Sequence, residues 1–261
     1  MSRLKLALLC IVIGLPSPVA AQERVLVGTQ RLAENGALFL AAAQGYFKAE
    51  GIDLGMTAYE SDQAVAATLA AGTTDFGLAG FTPAAFNAGG KGLIKAIAAQ
   101  AREKRYYEGS ELVASNFGFA KGLRTFADVA NKSVAISALG SASHYQLEQI
   151  ARIKQIAVDR ISVRPMPTLD GIARAVGTNQ VDAAILPARY ARELLAANNA
   201  KLVGWYSEVD EQQLGALFVS SKMIATRRPV VEKFVRAYRR GIADYTAACC
   251  ARTSIPNAPR T

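Results

Sequence analysis

The sequence has little of the chemistry on which most enzymes and metalloproteins depend. Its 261 residues include one histidine, His144, and three cysteines. Two of these, Cys249 and Cys250, are adjacent, and neighbouring cysteines seldom form an unstrained disulfide. A CxxC pair, a Ser-His-Asp order, paired acidic residues at catalytic spacing and a phosphate-binding loop are absent from the sequence. We therefore expect no enzymatic activity, no metal, no cofactor and no disulfide framework.

Long apolar runs are also scarce, and the one clear example lies at the N-terminus. Arg3 and Lys5 precede the apolar residues 6–15, and small residues follow at 19–21. This order is typical of a cleaved secretory signal peptide, and the run is too short to span a bilayer. We predict that residues 1–21 are a signal peptide and that the mature protein is periplasmic.

Positive charge is in excess but scattered. The sequence has 30 lysines and arginines against 21 acidic residues, which leaves about +7 once the predicted signal peptide is removed. Small basic clusters occur at residues 102–105 and 227–228, and no aromatic ladder alternates with them. We therefore expect no nucleic-acid partner, although the surplus charge favours attraction of acidic ligands.

Strand-like and helix-like segments alternate along the rest of the chain. Apolar or strictly alternating runs, such as residues 24–28 and 52–58, predict strands, and amphipathic segments between them predict helices. Strands and helices in this order, at these short distances, predict an α/β protein with mostly parallel sheets covered on both faces.

Two segments far apart in the chain resemble each other. In residues 69–76, Gly72 ends a predicted helix and Asp75 follows three residues later; in residues 175–183, Asn179 and Asp182 have the same spacing. Asn is the second choice after Gly for a left-handed helix cap. The repeat predicts two similar lobes, and ligands of such sheets bind outside the carboxyl ends of the strands.

The stretch at residues 131–150 has the strongest features of a ligand site. A short apolar strand is followed by a break at Gly140, and Ser141 or Ser143 can cap the helix that follows. Such a turn directs backbone N–H groups and the positive end of a helix dipole at one point, which suits an anion. The same pattern also fits an ordinary capped helix, so its meaning depends on the rest of the chain.

Further candidates follow from their positions at predicted strand ends. Arg31 could pair with a carboxylate or sulfonate, or lie on the surface. The roles of His144 and the aromatic residues, in the core or at the ligand, are left open. The candidate ligand-binding residues of the first lobe are Gln30, Arg31, Asn35, Gln63, Phe81 and Thr82, and those of the second are Gly140, Ser141, Ala142, Ser143, Thr168 and Ala188.

Several short motifs, in this order and spacing, resemble a known family. They are Ala-Leu-Phe-Leu-Ala at 37–41, Gly-Tyr-Phe-Lys-Ala-Glu-Gly-Ile at 45–52, Asp-Phe-Gly at 75–77, Lys-Ser-Val-Ala at 132–135, Gly-Ser at 140–141, Val-Asp-Ala at 181–183, Phe-Val-Ser-Ser at 218–221 and Pro-Val-Val-Glu-Lys-Phe at 229–234. Together they resemble the periplasmic substrate-binding proteins of ABC importers for nitrate, alkanesulfonates and taurine, a group that includes thiamine-precursor-like members.

The resemblance implies a two-lobed type II periplasmic binding protein fold with a two-strand hinge. It places residues 22–115 and 221–261 in lobe 1 and residues 116–220 in lobe 2, with crossings near 111–115 and 214–220. It also implies a monomer that closes over a small, anionic ligand such as a sulfonate, carboxylate or nitrate. The closed form would then deliver the ligand to an ABC transporter permease and its ATPase.

The C-terminal end departs from that family. Members usually add further helices after the segment that ends near residue 245, whereas residues 247–261 have no apolar period and contain two prolines. We expect a truncated or frame-shifted end that leaves apolar surface of lobe 1 exposed.

Four other functions share the expected fold. A thiamine-pyrimidine synthase would need a His and Cys set in the cleft, and a transcription-factor effector domain would need an N-terminal helix-turn-helix. The single histidine, the cysteines at the end and the predicted signal peptide oppose both. A thiamine-pyrimidine-precursor-binding protein and an exported sensor input domain stay open as alternatives.

Overall fold

The computed structural model describes residues 22–105 and 109–250, the last two by their backbone alone. The predicted signal peptide at residues 1–21 and the tail at residues 251–261 lie outside the described residues and stay predictions. No helix within the described ranges is both long enough and apolar enough to cross a membrane.

Strands and helices alternate along the chain, as the hydrophobic patterns predict. The strands are β1 (Glu23–Thr29), β2 (Ile52–Ala58), β3 (Phe76–Gly80), β4 (Ile94–Ala99), β5 (Ser110–Ser115), β6 (Ser133–Ile136), β7 (Ser162–Pro165), β8 (Ala183–Pro187), β9 (Ala200–Trp205) and β10 (Gly215–Ser220). The helices are α1 (Gly36–Ala43), α2 (Tyr46–Ala49), α3 (Asp62–Ala70), α4 (Pro83–Gly90), α5 (Asn116–Ala120), α6 (Ala142–Ile153), α7 (Leu169–Gly177), α8 (Ala188–Ala196) and α9 (Ser221–Cys250). Short 3-10 turns lie at Ala33–Asn35, Phe126–Val129, Val158–Arg160 and Tyr206–Glu208.

The strands form two five-stranded sheets of the same topology. The orders are β2-β1-β3-β10-β4 and β7-β6-β8-β5-β9. In each sheet one strand, β10 or β5, pairs antiparallel with both of its neighbours, while the other strands run in one direction. The predicted α/β class with two mostly parallel lobes is therefore confirmed.

The sheets divide the chain slightly differently from the predicted lobe boundaries. Strand β5, which the prediction put in lobe 1 (22–115), belongs to the second sheet, and β10, put in lobe 2 (116–220), belongs to the first. Both strands are apolar and buried, so their composition does not reveal which sheet they join. Each is the first strand after a crossing from the other lobe. It joins its sheet by antiparallel pairing, β10 with β3 and β5 with β8.

The two crossings run beside each other between the lobes. Arg102 and Gln213 form an antiparallel bridge, the Glu103 N–H donates to the Gln212 carbonyl at 2.8 Å, and the Leu214 N–H donates to the Ala101 carbonyl at 3.0 Å. The connections are thus a short two-stranded ladder, which lies between the strands rather than within β5 and β10.

The internal repeat has a clear structural role. Gly72 and Asn179 adopt φ values of 75° and 58°, which is the left-handed conformation predicted for both helix caps. A carboxylate oxygen of Asp75 accepts the Leu26 N–H at 2.9 Å, and one of Asp182 accepts the Ser133 N–H at 2.8 Å. Each aspartate therefore joins the beginning of one parallel strand to its neighbour in the same sheet.

The last described helix completes the core of the first lobe. Phe234 of α9 is fully buried and stacks on Phe76 of β3 with ring centroids 3.9 Å apart. Helix α9 consists of two helical segments that meet at a kink at Arg227, where the backbone is non-helical, and Pro229 lies at the beginning of the second segment. Pro229 has no N–H to donate to the preceding turn, which explains a kink at this place.

Candidate functional site

An open cavity of about 100 Å³ lies between the two sheets, and we call it the central cleft. Its walls follow the carboxyl ends of β1, β3, β6 and β8, as expected for ligand sites of open α/β sheets. The first lobe contributes Gln30, Leu32, Glu34, Glu60, Ser61, Asp62, Gln63 and Gly80; the second contributes Ser137, Ala138, Ser141, Ala142, Ser143, Gln146, Pro167, Leu169, Ile185, Leu186 and Pro187; Ser110 and Leu214 lie at the crossings.

Five of the candidate residues from the sequence line the central cleft: Gln30, Gln63, Ser141, Ala142 and Ser143. Two more, Arg31 and Ala188, line an adjoining open cavity of about 380 Å³, which we call the side cavity. Phe81 and Gly140 line a third cavity, on the side of α4 and α6. The predicted set is thus spread over three neighbouring spaces.

The remaining candidates, Asn35, Thr82 and Thr168, are not among the described residues that line these cavities. Thr82 accepts the Ala85 N–H at 3.2 Å and Thr168 accepts the Gly171 N–H at 3.1 Å, so each caps a helix. Asn35 is buried, donates to the Gln30 carbonyl at 3.0 Å and accepts a hydrogen bond from the Gln100 amide. Their polar side chains serve the backbone, which strand-end position alone does not reveal.

The turn at Gly140 has the predicted shape, with φ of 75° at Gly140 and α6 beginning directly after Ser141. Its donors, however, are largely used inside the turn. The Gly140 N–H donates to Nδ1 of His144 at 3.0 Å, and the Ser141 N–H donates to the Ala138 carbonyl at 3.1 Å. Of the predicted N–H groups, the turn can offer a ligand at most those of Ala142 and Ser143.

The hydroxyl protons of this turn are also committed. The Ser141 hydroxyl lies 2.6 Å from the Ala138 carbonyl, which can only accept, so Ser141 donates to it. Ser143 Oγ is 3.0 Å from Ser141 Oγ, so Ser143 donates to Ser141; Ser137 Oγ is 3.1 Å from Ser143 Oγ, so Ser137 donates to Ser143. All three protons point along one chain into the wall. Ser141 Oγ and Ser143 Oγ also accept the His144 and Ser137 N–H groups, so of the three hydroxyl oxygens only that of Ser137 keeps an unused lone pair.

Carboxylates are the main feature of the cleft that the sequence reasoning missed. Glu34, Glu60 and Asp62 line it, and the described lining residues include no lysine, arginine or histidine. Burial, and then the charges of Asp62 and Glu103, raise the pKa of Glu34 to about 8. Burial also raises the pKa of Asp62, although a hydrogen bond from the Gly80 backbone opposes this. The acidic groups therefore disfavour one another's ionised form, and no basic side chain among the described lining residues offsets this.

Two buried acceptors near these carboxylates have no partner. Gln146 is fully buried and lines the cleft; its Nε2 donates to Ser110 Oγ at 3.0 Å, while its Oε1 accepts no hydrogen bond. Glu103 is 2% exposed, and its Oε1 accepts the Ser110 N–H at 2.7 Å, while its Oε2 is unpartnered. Buried polar groups are rarely left unsatisfied, so both atoms are available to accept a hydrogen bond from a bound molecule.

Positive charge lies further out, around the side cavity. Arg31, Arg102 and Arg189 line that cavity, which shares Glu34 and Ser110 with the central cleft. Arg102 pairs with Glu211 at 3.1 Å across the two crossings. Arg31, the basic side chain that the sequence suggested as an anion contact, therefore lines the side cavity rather than the central cleft.

His144 and two of the aromatic residues lie outside the central cleft. His144 accepts from the Gly140 backbone and lies 3.5 Å from Glu148, on the third cavity. Tyr145 is exposed beside it, and Tyr190 lines the side cavity. In the described part of the chain, no group of three or more His, Cys, Asp or Glu side chains is arranged to hold a metal ion.

Comparisons with known proteins agree on one family and one fold. A sequence profile of the family described as "NMT1/THI5 like" matches residues 33–248. No curated protein matches the chain by sequence.

Solved structures share the fold at low identity. The periplasmic aliphatic sulphonate binding protein SsuA from Escherichia coli has a TM-score of 0.70 at 14% identity and covers 88% of this chain and 72% of its own. The ligand binding component of an ABC-type import system from Staphylococcus aureus, solved with zinc, has a TM-score of 0.67 at 14% identity, and the match covers 84% of this chain and 74% of its own. A point mutant of arginine-bound ArgBP from T. maritima has a TM-score of 0.56 at 17% identity, and the match covers 83% of this chain and 95% of its own.

Proposed function

Since the chain belongs to the NMT1/THI5-like family and has the two-lobed periplasmic binding fold, we propose that it is an exported solute-binding protein. It captures a small molecule in the central cleft and closes its lobes over it. The closed form then delivers the molecule to an ABC transporter permease and its ATPase. The observation that carries the proposal is a cleft lined from both lobes and backed by two adjacent crossings.

The geometry suits capture and release more than chemistry. The cleft is open, and its polar groups converge from separate strand ends. The crossings pair with each other, so rotation about them changes the gap between the lobes without breaking either sheet. Structural neighbours of this fold are named for import and for binding of solutes, which supports the same role here.

The charge of the ligand is not fixed by the fold. The sequence favours an anionic sulfonate, carboxylate or nitrate, and one neighbour is named for sulphonate, while another is bound to arginine. The anion therefore stays a prediction that a binding experiment must decide.

The test is a thermal-shift screen of the mature chain followed by solution scattering. The screen covers nitrate, taurine, alkanesulfonates, carboxylates, thiamine precursors and amines, because a ligand that binds only the folded state raises its melting temperature. The hit should also reduce the radius of gyration. A ligand that binds without compaction would refute closure, and a folded chain that responds to no class would refute solute binding.

A matched pair of variants locates the ligand. Ser141→Ala and Thr168→Ala each remove a helix-capping hydroxyl, which costs about 1 kcal/mol of stability in either case. Only Ser141 lines the central cleft. We expect Ser141→Ala alone to weaken binding; equal affinity of the two variants would place the ligand elsewhere.

A further inference from the structure

The central cleft offers acceptors where the sequence suggested donors. Three carboxylates, those of Glu34, Glu60 and Asp62, line it from the first lobe, and the described lining contains no basic side chain. A small anion placed here would find no opposite charge, whereas a cation would favour the ionised form of these carboxyl groups and pair with it.

Among the described residues, the wall formed by the second lobe also lacks free hydroxyl donors, because its serine protons are donated inside the turn. The protons of Ser137, Ser143 and Ser141 are donated in sequence and end on the Ala138 carbonyl. For any of these hydroxyls to donate to a ligand, a hydrogen bond inside the turn would have to break. A ligand with N–H donors can instead use the lone pairs of Ser137 Oγ, the one hydroxyl oxygen of the three that accepts no hydrogen bond within the turn.

The unpartnered buried atoms point to the same kind of ligand independently of the charges. Gln146 Oε1, on α6, is fully buried at the cleft and accepts nothing. Oε2 of Glu103 is likewise buried and unpartnered beside Ser110. Both orphan atoms are acceptors, so the group that satisfies them must donate.

From these three observations we propose that the cleft selects a small organic cation whose protonated amine, amidine or guanidine lies between Glu34 and Asp62 on one wall and Ser137 Oγ and Gln146 Oε1 on the other. The inference rests on the proposed solute-binding function and names its ligand class. The crowding of Glu34 by Asp62 and Glu103 agrees with it, since a ligand cation supplies the positive charge that this cluster lacks.

The test uses ligand pairs of equal shape and opposite charge: benzamidine against benzoate, and butylguanidine against butanesulfonate, measured by titration calorimetry on the mature chain. We expect the cation of each pair to bind and its anion not to bind. Solutes found in the broader screen are sorted by charge in the same way, and a cation supports the inference. Binding of anions alone would overturn the inference and leave solute binding intact, and binding of no solute would overturn both.

Variants of Glu34 and Asp62 test whether these two side chains bind the cation. Glu34→Gln and Asp62→Asn should weaken binding of the cation by roughly 30-fold or more, because each removes a partly buried opposite charge. Glu232→Gln makes the same change on the exposed surface of α9 and should leave affinity unchanged. Cooperative melting of each variant shows that it is folded; a folded Glu34→Gln and a folded Asp62→Asn that both bind as the natural chain does would refute the assignment.

Discussion

Glu34 should make the unliganded protein less stable as pH rises, and Glu34→Gln should remove that effect. Its carboxyl lies in the central cleft with a pKa raised to about 8 by burial and by Asp62 and Glu103. An unfolded glutamate has a pKa near 4.3. Between these two values the folded chain holds a proton that the unfolded chain has lost.

The sign and size follow from this difference. Stability falls with pH wherever the folded state binds more protons, by at most about 1.4 kcal/mol per pH unit for one group. From pH 5 to pH 8, Glu34 therefore accounts for at most about 4 kcal/mol. In a protein of this size that is up to roughly 8–16 °C in melting temperature. Asp62 and Glu103, whose pKa values burial also raises, act in the same direction in both proteins.

The measurement is thermal and urea unfolding of the natural chain and of Glu34→Gln at pH 5 and pH 8. At pH 5 both side chains are neutral and of equal size, so the two proteins should have similar stability. At pH 8 the variant should be the more stable. Glu232→Gln, on the exposed surface of α9, should follow the natural chain. Equal losses of stability in the natural chain and in Glu34→Gln would refute the reasoning.

Further predictions concern the lobes and their closure. Phe234→Ala removes a buried ring that stacks on Phe76 and should cost about 3–5 kcal/mol in urea unfolding; a cost below about 1 kcal/mol would show that α9 contributes little to the first core. Gly140→Ala places a Cβ at φ 75° and 2.5 Å from the Pro83 ring of the opposite lobe, so it should lower ligand affinity by hindering closure; unchanged affinity in calorimetry would show that the lobes close without this contact. Asp182→Asn weakens the hydrogen bonds to the beginning of β6 and should cost about 1.5–3 kcal/mol in the same unfolding assay, whereas natural stability would contradict that role.

The fold was largely predictable because its signals are local. Alternating or apolar runs predicted the strands, and the spacing of Gly72 and Asp75 against Asn179 and Asp182 predicted a repeat that the backbone confirms. The sheet membership of β5 and β10 was not predictable in this way. It depends on which neighbours a buried strand meets after a crossing, and a uniformly apolar strand does not encode that choice.

The sequence predicted several residues that line the cavities between the lobes, but not the carboxylates among them. The rule that ligands lie at strand ends led to Gln30, Gln63 and the Gly140 turn, and all three border the spaces between the lobes. It could not tell that the serine protons would be used internally, because that depends on distances between side chains.

The missed carboxylates had a signal of their own. Glu34 stands between two candidate residues, Arg31 and Asn35, in the loop after β1, and Asp62 follows the cap of α3. An acidic residue in the first turn of a helix is usually explained by the helix dipole. Only the structure shows that Asp62 instead shares a confined space with Glu34.

The two lobes are alike in topology, so the asymmetry of their facing walls must carry the specificity. Sheet order and antiparallel crossing strand are the same in both, and the aspartates at 75 and 182 have equivalent roles. What differs is the chemistry at the cleft: carboxylates on the first wall, and hydroxyl and amide oxygens on the second. A ligand that carries its donors on one charged group can satisfy both walls at once only when the lobes close. Closure and recognition of charge would then be the same event, so a variant that removes the charge should also reduce compaction in scattering.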